Sequence, residues 1–219
     1  MLKPEKIILV TLSILLAVVV VLGLLALPRP EVRNLDSRGK NIICFGDSIT
    51  LGYGANLGED YPSLLGKMTN YPVINAGVDG DTSPEAIRRF AEDALAKEPL
   101  LVIIEIGGND FLKKIPLAVT LKNVAEMVEE AEQQGAMVAV ADISAGMFLR
   151  DYRVAFSKLA KEKEAIFIPS LLSGIITNPS MKSDFIHPNA AGYKIIAHKV
   201  YRCIIPYLNK NFLLREAKK

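Results

Sequence analysis

The sequence has few cysteines, few histidines and almost no net charge. Only Cys44, Cys203 and two histidines occur among 219 residues, and none belongs to a C-x-x-C pair or a histidine cluster. This scarcity argues against a structural zinc site. We interpret both cysteines as buried free thiols, with a bridge between them as the alternative. The 26 basic and 24 acidic side chains include no basic run interleaved with aromatic residues, which argues against a nucleic-acid-binding surface.

One long apolar run stands at the N-terminus. Residues 7–27 carry no charge, and 21 helical residues at about 1.5 Å each span a hydrocarbon core of roughly 30 Å. We therefore predict a transmembrane helix within an anchor at 1–27, with a cleaved signal peptide as the alternative. Residues 28–40, which contain two prolines and several charges, are interpreted as a linker.

The remaining chain predicts one domain at 41–208 and a tail at 209–219, because Pro206 and Asn209 interrupt the last amphipathic pattern. Helical patterns over Pro84–Lys97 and Leu117–Gln134 alternate with apolar runs. Strands that are apolar on both faces and separated by helices predict a parallel sheet covered on each side, an α/β fold of the doubly wound kind. The five predicted strands are Asn41–Phe45, Val73–Asn75, Leu100–Ile106, Met137–Ala141 and Ile166–Ile168.

Ligands bind such sheets at the carboxyl ends of the strands. Ser48 follows the first strand on a turn, where it is either an exposed nucleophile or a helix cap. The turn lacks the Gly-Lys-Ser/Thr of a phosphate loop, the third glycine of a dinucleotide fingerprint and the second glycine of a G-x-S-x-G elbow. Gly80 and Asn109 stand on turns after the second and third strands, where a backbone N–H and a side-chain amide are able to stabilise a developing oxyanion.

A last cluster combines a carboxylate with a histidine on a loop. Asp184 precedes His187 by three residues, so one short turn lets the carboxylate contact one imidazole nitrogen while the other serves as a general base. His198 lies among apolar residues on a predicted helix and is interpreted as a packed or surface residue.

Four short motifs in this order resemble the SGNH family of serine hydrolases, also called GDSL lipases and esterases. The match runs from about 41 to 208, and it is most similar to the bacterial thioesterase I, lysophospholipase and arylesterase group. The motifs are Gly46-Asp47-Ser48, Gly80-Asp81-Thr82-Ser83, Gly107-Gly108-Asn109-Asp110 and Asp184-x-x-His187-Pro188-Asn189.

The resemblance implies a flavodoxin-like three-layer α/β/α sandwich and hydrolysis of carboxylic esters or thioesters through an acyl-enzyme. It implies Ser48 as nucleophile, His187 as base and Asp184 as orienting acid. It also implies an oxyanion hole from Ser48, Gly80 and Asn109, with no metal or organic cofactor. A carbohydrate acetyl-esterase on the same residues and a non-catalytic binding module remain the alternatives.

Apolar residues after the strands predict where an acyl or aryl group binds. Phe111 and Leu112 follow the third strand and Met147 follows the fourth, and covering the core is the competing interpretation for all three. The expected partners are a small acyl ester or thioester, with lipid-derived esters among the candidates, and a membrane contacted through the N-terminal helix. Related bacterial enzymes are often exported, so a periplasmic or extracellular domain is expected, although the basic residues flanking the helix favour the opposite orientation.

Overall fold

The computed structural model describes residues 31–144 and 149–218. Within them, five parallel strands form one sheet in the order β2-β1-β3-β4-β5. The prediction of a five-stranded parallel sheet is therefore confirmed, with strand ends shifted by at most two residues. The strands span Asn41–Gly46 (β1), Val73–Gly77 (β2), Pro99–Glu105 (β3), Met137–Ala141 (β4) and Ile166–Ile168 (β5).

Helices cover both faces of the sheet. The helices of the described residues span Ser48–Leu51 (α1), Tyr61–Met68 (α2), Ser83–Asp93 (α3), Gly108–Leu112 (α4), Leu117–Gln133 (α5), Arg150–Glu162 (α6) and Ala190–Glu216 (α7), with 3₁₀ turns at Leu95–Lys97 and Pro179–Met181. The helix predicted over Pro84–Lys97 thus divides into α3 and a 3₁₀ turn. Thr82 caps α3 by exchanging hydrogen bonds with Glu85.

Alternate residues of each strand pack into two separate cores. In β1, Ile42 and Cys44 join one core with residues of α2 and α7, while Ile43 and Phe45 join the other with residues of α3, α5 and α6. Both faces of the strand are therefore buried, which is why the strands contain continuous apolar runs. Cys44 is buried, Cys203 is partly buried, and both are free thiols.

The strand order determines where the carboxyl ends of the strands leave a crevice. The order β2-β1-β3-β4-β5 is flavodoxin-like, and its connections reverse direction between β1 and β3. Gly46 at the end of β1 pairs with Glu105 at the end of β3. The segments that follow these two strands therefore begin side by side.

The C-terminal segment differs from the prediction. Helix α7 continues through Pro206 to Glu216, so most of the expected tail at 209–219 is helical. An interior proline costs about 3 kcal/mol in a helix, and burial of Ile204 and Leu208 on either side offsets that cost. Asn211, also buried, donates hydrogen bonds to the carbonyls of Leu35 and Ser37, each at 2.9 Å.

The described part of the predicted linker packs against the domain. Val32 is buried, and Asn34 donates hydrogen bonds to the carbonyls of Glu132 and Ala136 at 2.7 and 3.0 Å. Residues 31–40 therefore belong to the folded unit. The predicted transmembrane helix at 7–27 lies outside the described residues, and among those that are described no helix has the length and apolar character to span a membrane.

Candidate active site

Ser48 begins a single helical turn directly after β1. The Asp47 side chain caps that turn by accepting a hydrogen bond from the Ile49 N–H at 3.0 Å. Gly52 ends it in the left-handed conformation, with φ of 96°. Ser48 is 6% exposed, so its side chain is held in a short rigid turn between a buried strand and a glycine stop.

His187 and Asp184 reach Ser48 from a loop that is distant in the sequence. The His187 Nε2 atom lies 3.1 Å from Ser48 Oγ, and its Nδ1 atom lies 2.7 Å from Asp184 Oδ2. The other carboxylate oxygen, Oδ1, accepts the backbone N–H groups of Ile186 and His187, both at 2.8 Å. A continuous relay thus runs from the hydroxyl through the imidazole to the carboxylate.

Hydrogen bonds set the charge state of Asp184. Partial desolvation opposes ionisation, but the His187 backbone N–H, the imidazole and the Ile186 N–H together lower the pKa of Asp184 from 3.8 to about 2. The carboxylate is therefore ionised at neutral pH, and it fixes which imidazole nitrogen carries the hydrogen.

An aromatic ring supports the imidazole. The Tyr53 ring lies against His187 with centroids 4.4 Å apart. The carbonyl of Tyr53 accepts a 2.8 Å hydrogen bond from the buried Tyr193 hydroxyl on α7. The loop position of His187 is thereby tied to the core.

Asn109 follows β3 on the turn beside Ser48. Its Nδ2 donates to the carbonyl of Asp81 at 3.0 Å and to Asp47 Oδ2 at 3.3 Å. Gly80 adopts a φ of 77°, and a side chain added there meets nothing within 4 Å. Glycine is therefore favoured at this position by its left-handed backbone and not by crowding.

Arg89 on α3 joins the turns that carry these residues. Its guanidinium donates to the carbonyls of Gly46 and Ala76, each at 2.9 Å, and to Asp81 Oδ2 at 2.6 Å. It also lies over the Phe45 ring at 4.2 Å. The ends of β1 and β2 are thus connected through one cation.

A cavity of about 350 Å³ opens beside the Ser48 hydroxyl. Its polar lining consists of Asp47, Ser48, Asp79, Glu105, Asn109 and His187. The predicted Phe111 and Leu112 line it as well. The third residue predicted to bind substrate, Met147, lies outside the described residues. The remaining apolar lining includes Ile143, Leu149, Leu172, Ile176, Phe185 and Ile186.

Most of that apolar lining was not predicted from the sequence. Leu172 and Ile176 lie in the loop after β5, where no local pattern indicates that they approach Ser48. Phe185 is 93% exposed between Asp184 and His187, and its place inside a recognised motif was the only available signal. His198 lies exposed on α7, away from the residues that line the cavity.

Comparison with known proteins identifies the family. The model of the GDSL-like lipase/acylhydrolase family matches residues 44–195. The chain therefore belongs to that family, whose members are GDSL-type esterases and lipases. The resemblance stated from the four motifs is confirmed.

Individual relatives cover most of the chain. The esterase TesA of Pseudomonas aeruginosa is 27% identical over 77% of this chain and 90% of its own. The thioesterase 1/protease 1/lysophospholipase L1 of Escherichia coli is 28% identical over 77% and 85%. The crystal structure of the psychrotrophic esterase EstA from Pseudoalteromonas sp., inhibited by monoethylphosphonate, superposes with a TM-score of 0.70 at 25% identity and covers 78% of this chain and 99% of its own.

Proposed function

We propose that this chain hydrolyses carboxylic esters or thioesters through an acyl-enzyme, with Ser48 as nucleophile, His187 as general base and Asp184 as orienting acid. The observation that carries the proposal is the hydrogen-bonded relay of 3.1 Å and 2.7 Å that joins the three side chains. It combines a hydroxyl, a base within reach of its proton and a carboxylate on the far side of the base.

The chemistry follows from that relay. His187 accepts the Ser48 proton at Nε2 as Oγ bonds to the acyl carbon, and Asp184 stabilises the imidazolium that forms. When the tetrahedral intermediate collapses, the bond to the leaving alcohol or thiol breaks and His187 returns the proton to it. Water then attacks the acyl-serine by the same route, which releases the acid and regenerates Ser48.

Three donors are proposed for the oxyanion: the backbone N–H groups of Ser48 and Gly80 and the side-chain amide of Asn109. The Asn109 amide lies on the cavity wall beside Ser48. Its 3.3 Å contact with Asp47 Oδ2 is the longer of its two hydrogen bonds, so this hydrogen is the one proposed to turn toward substrate. The two backbone N–H groups need no such turn, so they stabilise the transition state without reorganisation.

We propose that the enzyme prefers ester substrates with an apolar acyl or aryl group, which binds in the cavity. The cavity beside Ser48 is lined mainly by aliphatic and aromatic side chains, Phe111 and Leu112 among them, and burying them against a hydrocarbon chain is favourable. Relatives named esterase, thioesterase and lysophospholipase support the same class of substrate. Activity confined to acetyl esters would instead favour a carbohydrate acetyl-esterase.

We also propose that residues 7–27 anchor the domain to a membrane, with the catalytic domain outside the cytoplasm. The support is the uncharged length of this segment. Membrane fractionation of the full chain beside a chain lacking residues 1–30 tests the anchor. Protease treatment of intact cells tests the orientation, and protection of the domain until the inner membrane is broken would place it in the cytoplasm.

The central test measures p-nitrophenyl ester hydrolysis by residues 31–219 across acyl lengths, together with labelling by a fluorophosphonate probe. We expect wild type to hydrolyse esters and to be labelled, and Ser48→Ala to lose both. Ser157→Ala, a change at an exposed serine on α6, is the matched control and should behave as wild type. A folded wild type that neither hydrolyses any ester nor reacts with the probe would favour the binding-module alternative.

A further inference from the structure

Two buried acidic side chains lie beside the proposed catalytic groups, and the reaction described above assigns neither of them a step. Asp47 is 2% exposed and Glu105 is completely buried. Glu105 ends β3 and pairs with Gly46, the last residue of β1. The two carboxyl groups therefore lie between the turn that carries Ser48 and the turn that carries Asn109.

Each carboxyl group contacts one of those turns. Glu105 Oε2 accepts a hydrogen bond from Thr50 Oγ1 at 2.8 Å, and Thr50 in turn lies 3.0 Å from the Tyr61 hydroxyl. Asp47 Oδ1 caps α1 through the Ile49 N–H, and Asp47 Oδ2 accepts from the Asn109 amide. The Glu105 carboxyl also faces the backbone N–H and the carboxyl group of Asp47.

The surroundings of Glu105 disfavour a charge on it. Its Oε1 atom is buried and has no hydrogen-bond partner among the described residues. Burial, and then the charge of Asp47, raise the pKa of Glu105 well above its usual range. Burial also raises the pKa of Asp47, to about 6, but the Ile49 N–H and His187 favour its charged form.

Among the described residues, the other titratable groups that face this pair do not supply a cation next to Glu105. Tyr61 approaches from α2 and Tyr193 from α7, and both are hydroxyl groups whose own pKa is raised by burial. His187 and Asp81 face Asp47. Two adjacent buried carboxylates cannot both be ionised cheaply. Glu105 is the fully buried one of the pair and has an oxygen that is unpartnered within the described part of the chain, so it is the one that keeps a proton.

We propose that Glu105 is a positioning residue that acts as a neutral carboxylic acid, accepting from Thr50 and donating to Asp47, so that Asn109 and Ser48 keep a fixed relative position. This inference rests on the proposed function, since Asn109 matters here as an oxyanion donor. A neutral acid also limits the pair to one negative charge. A second charge beside the developing oxyanion would oppose its formation.

Glu105→Gln tests the neutral form because glutamine reproduces it. Its amide oxygen accepts from Thr50, and its amide N–H replaces the acid proton opposite Asp47. We expect kcat for ester hydrolysis within about threefold of wild type, and an acidic limb of the kcat/KM profile that does not move. Glu105→Ala removes both contacts, and its kcat should fall about 10²-fold, as for the loss of one oxyanion donor, with KM nearly unchanged.

A double-mutant cycle separates positioning from general damage. If Glu105 acts through Asn109, then Glu105→Ala combined with Asn109→Ala should lose little more kcat than Asn109→Ala alone. If the two losses of kcat are fully additive, Glu105 does not act through Asn109. Near-UV circular dichroism and the urea midpoint of each variant report whether it is folded.

Glu105→Gln keeps the proposal falsifiable if Glu105→Ala does not fold. A folded Glu105→Gln with kcat as low as the alanine variant, or with an acidic limb displaced to lower pH, would show that wild type uses an ionised Glu105 and would overturn the proposal. A Glu105→Ala variant with wild-type kcat would overturn the positioning role. Failure of the proposed function looks different, because wild type itself would then lack ester hydrolysis and probe labelling.

Discussion

Replacing Asp184 by asparagine is the substitution whose consequence the geometry defines most sharply. Asp184 Oδ1 accepts two backbone N–H groups at 2.8 Å, while Oδ2 accepts from His187 Nδ1 at 2.7 Å. In Asp184→Asn the carbonyl oxygen keeps the Oδ1 position, because two donors point at it. The NH₂ group then takes the Oδ2 position, where it is a donor.

This substitution reverses the tautomer of the His187 imidazole. With a donor opposite it, Nδ1 of His187 must be the acceptor, so the ring hydrogen moves to Nε2, which lies 3.1 Å from Ser48 Oγ. A nitrogen that already carries a hydrogen cannot take the serine proton. In a Ser-His-Asp protease the same change lowers kcat about 10⁴-fold, or about 5.4 kcal/mol of transition-state stabilisation, and we expect a loss of that size here.

The assay is p-nitrophenyl ester hydrolysis at neutral pH, with the urea midpoint measured to establish that the variant is folded. Asp36→Asn is the matched control, since Asp36 pairs with Lys218 at 2.7 Å on the surface and is 57% exposed. It should retain wild-type kcat. If folded Asp184→Asn keeps kcat within tenfold of wild type, Asp184 does not set the imidazole tautomer.

Three further outcomes are expected. Asn109→Ala should lower kcat about 10²–10³-fold with the urea midpoint nearly unchanged, and near-normal turnover would remove Asn109 from the oxyanion hole. Phe90→Ala empties a fully buried position that packs edge-to-face on Phe45 at 5.0 Å. It should cost about 3–5 kcal/mol in urea unfolding, and a cost under about 1 kcal/mol would contradict the described packing. Because the pKa of Asp184 falls from 3.8 to about 2 on folding, its stabilisation is complete above about pH 4 and is lost as pH falls through about 2. The stability difference between wild type and Asp184→Asn should therefore shrink over that range, and a difference independent of pH would refute the assignment.

Local patterns determined the five strands and the limits of α5. The apolar run at Met137–Ala141 coincides with β4, and the helix predicted over Leu117–Gln134 ends one residue earlier in the structure. Burial on both faces requires such runs in a parallel sheet, so they remain visible in the sequence alone. The tail predicted at 209–219 is mostly helical in the structure, because the local cost of Pro206 is offset by packing between distant segments.

The candidate site also combines features set by the local sequence with features set by the tertiary structure. The three-residue spacing of Asp184 and His187 is a local property, and the motifs that suggest their roles are short. The contact of His187 with Ser48 joins residues 139 positions apart, and sheet topology brings these positions together. The cavity residues Leu172 and Ile176 depend on the same topology.

The buried contacts of Glu105 show most clearly what tertiary structure decided. Its sequence position at the end of a predicted strand indicates burial, yet its hydrogen bond to Thr50 spans 55 residues. Strand pairing of Gly46 with Glu105 creates that contact, and the absence of a side chain on Gly46 leaves room for it. The sequence by itself thus determined the elements and the motif residues, because both are encoded within a few neighbouring positions. The distances, the cavity and the charge environment depended on which strand ends the fold places side by side.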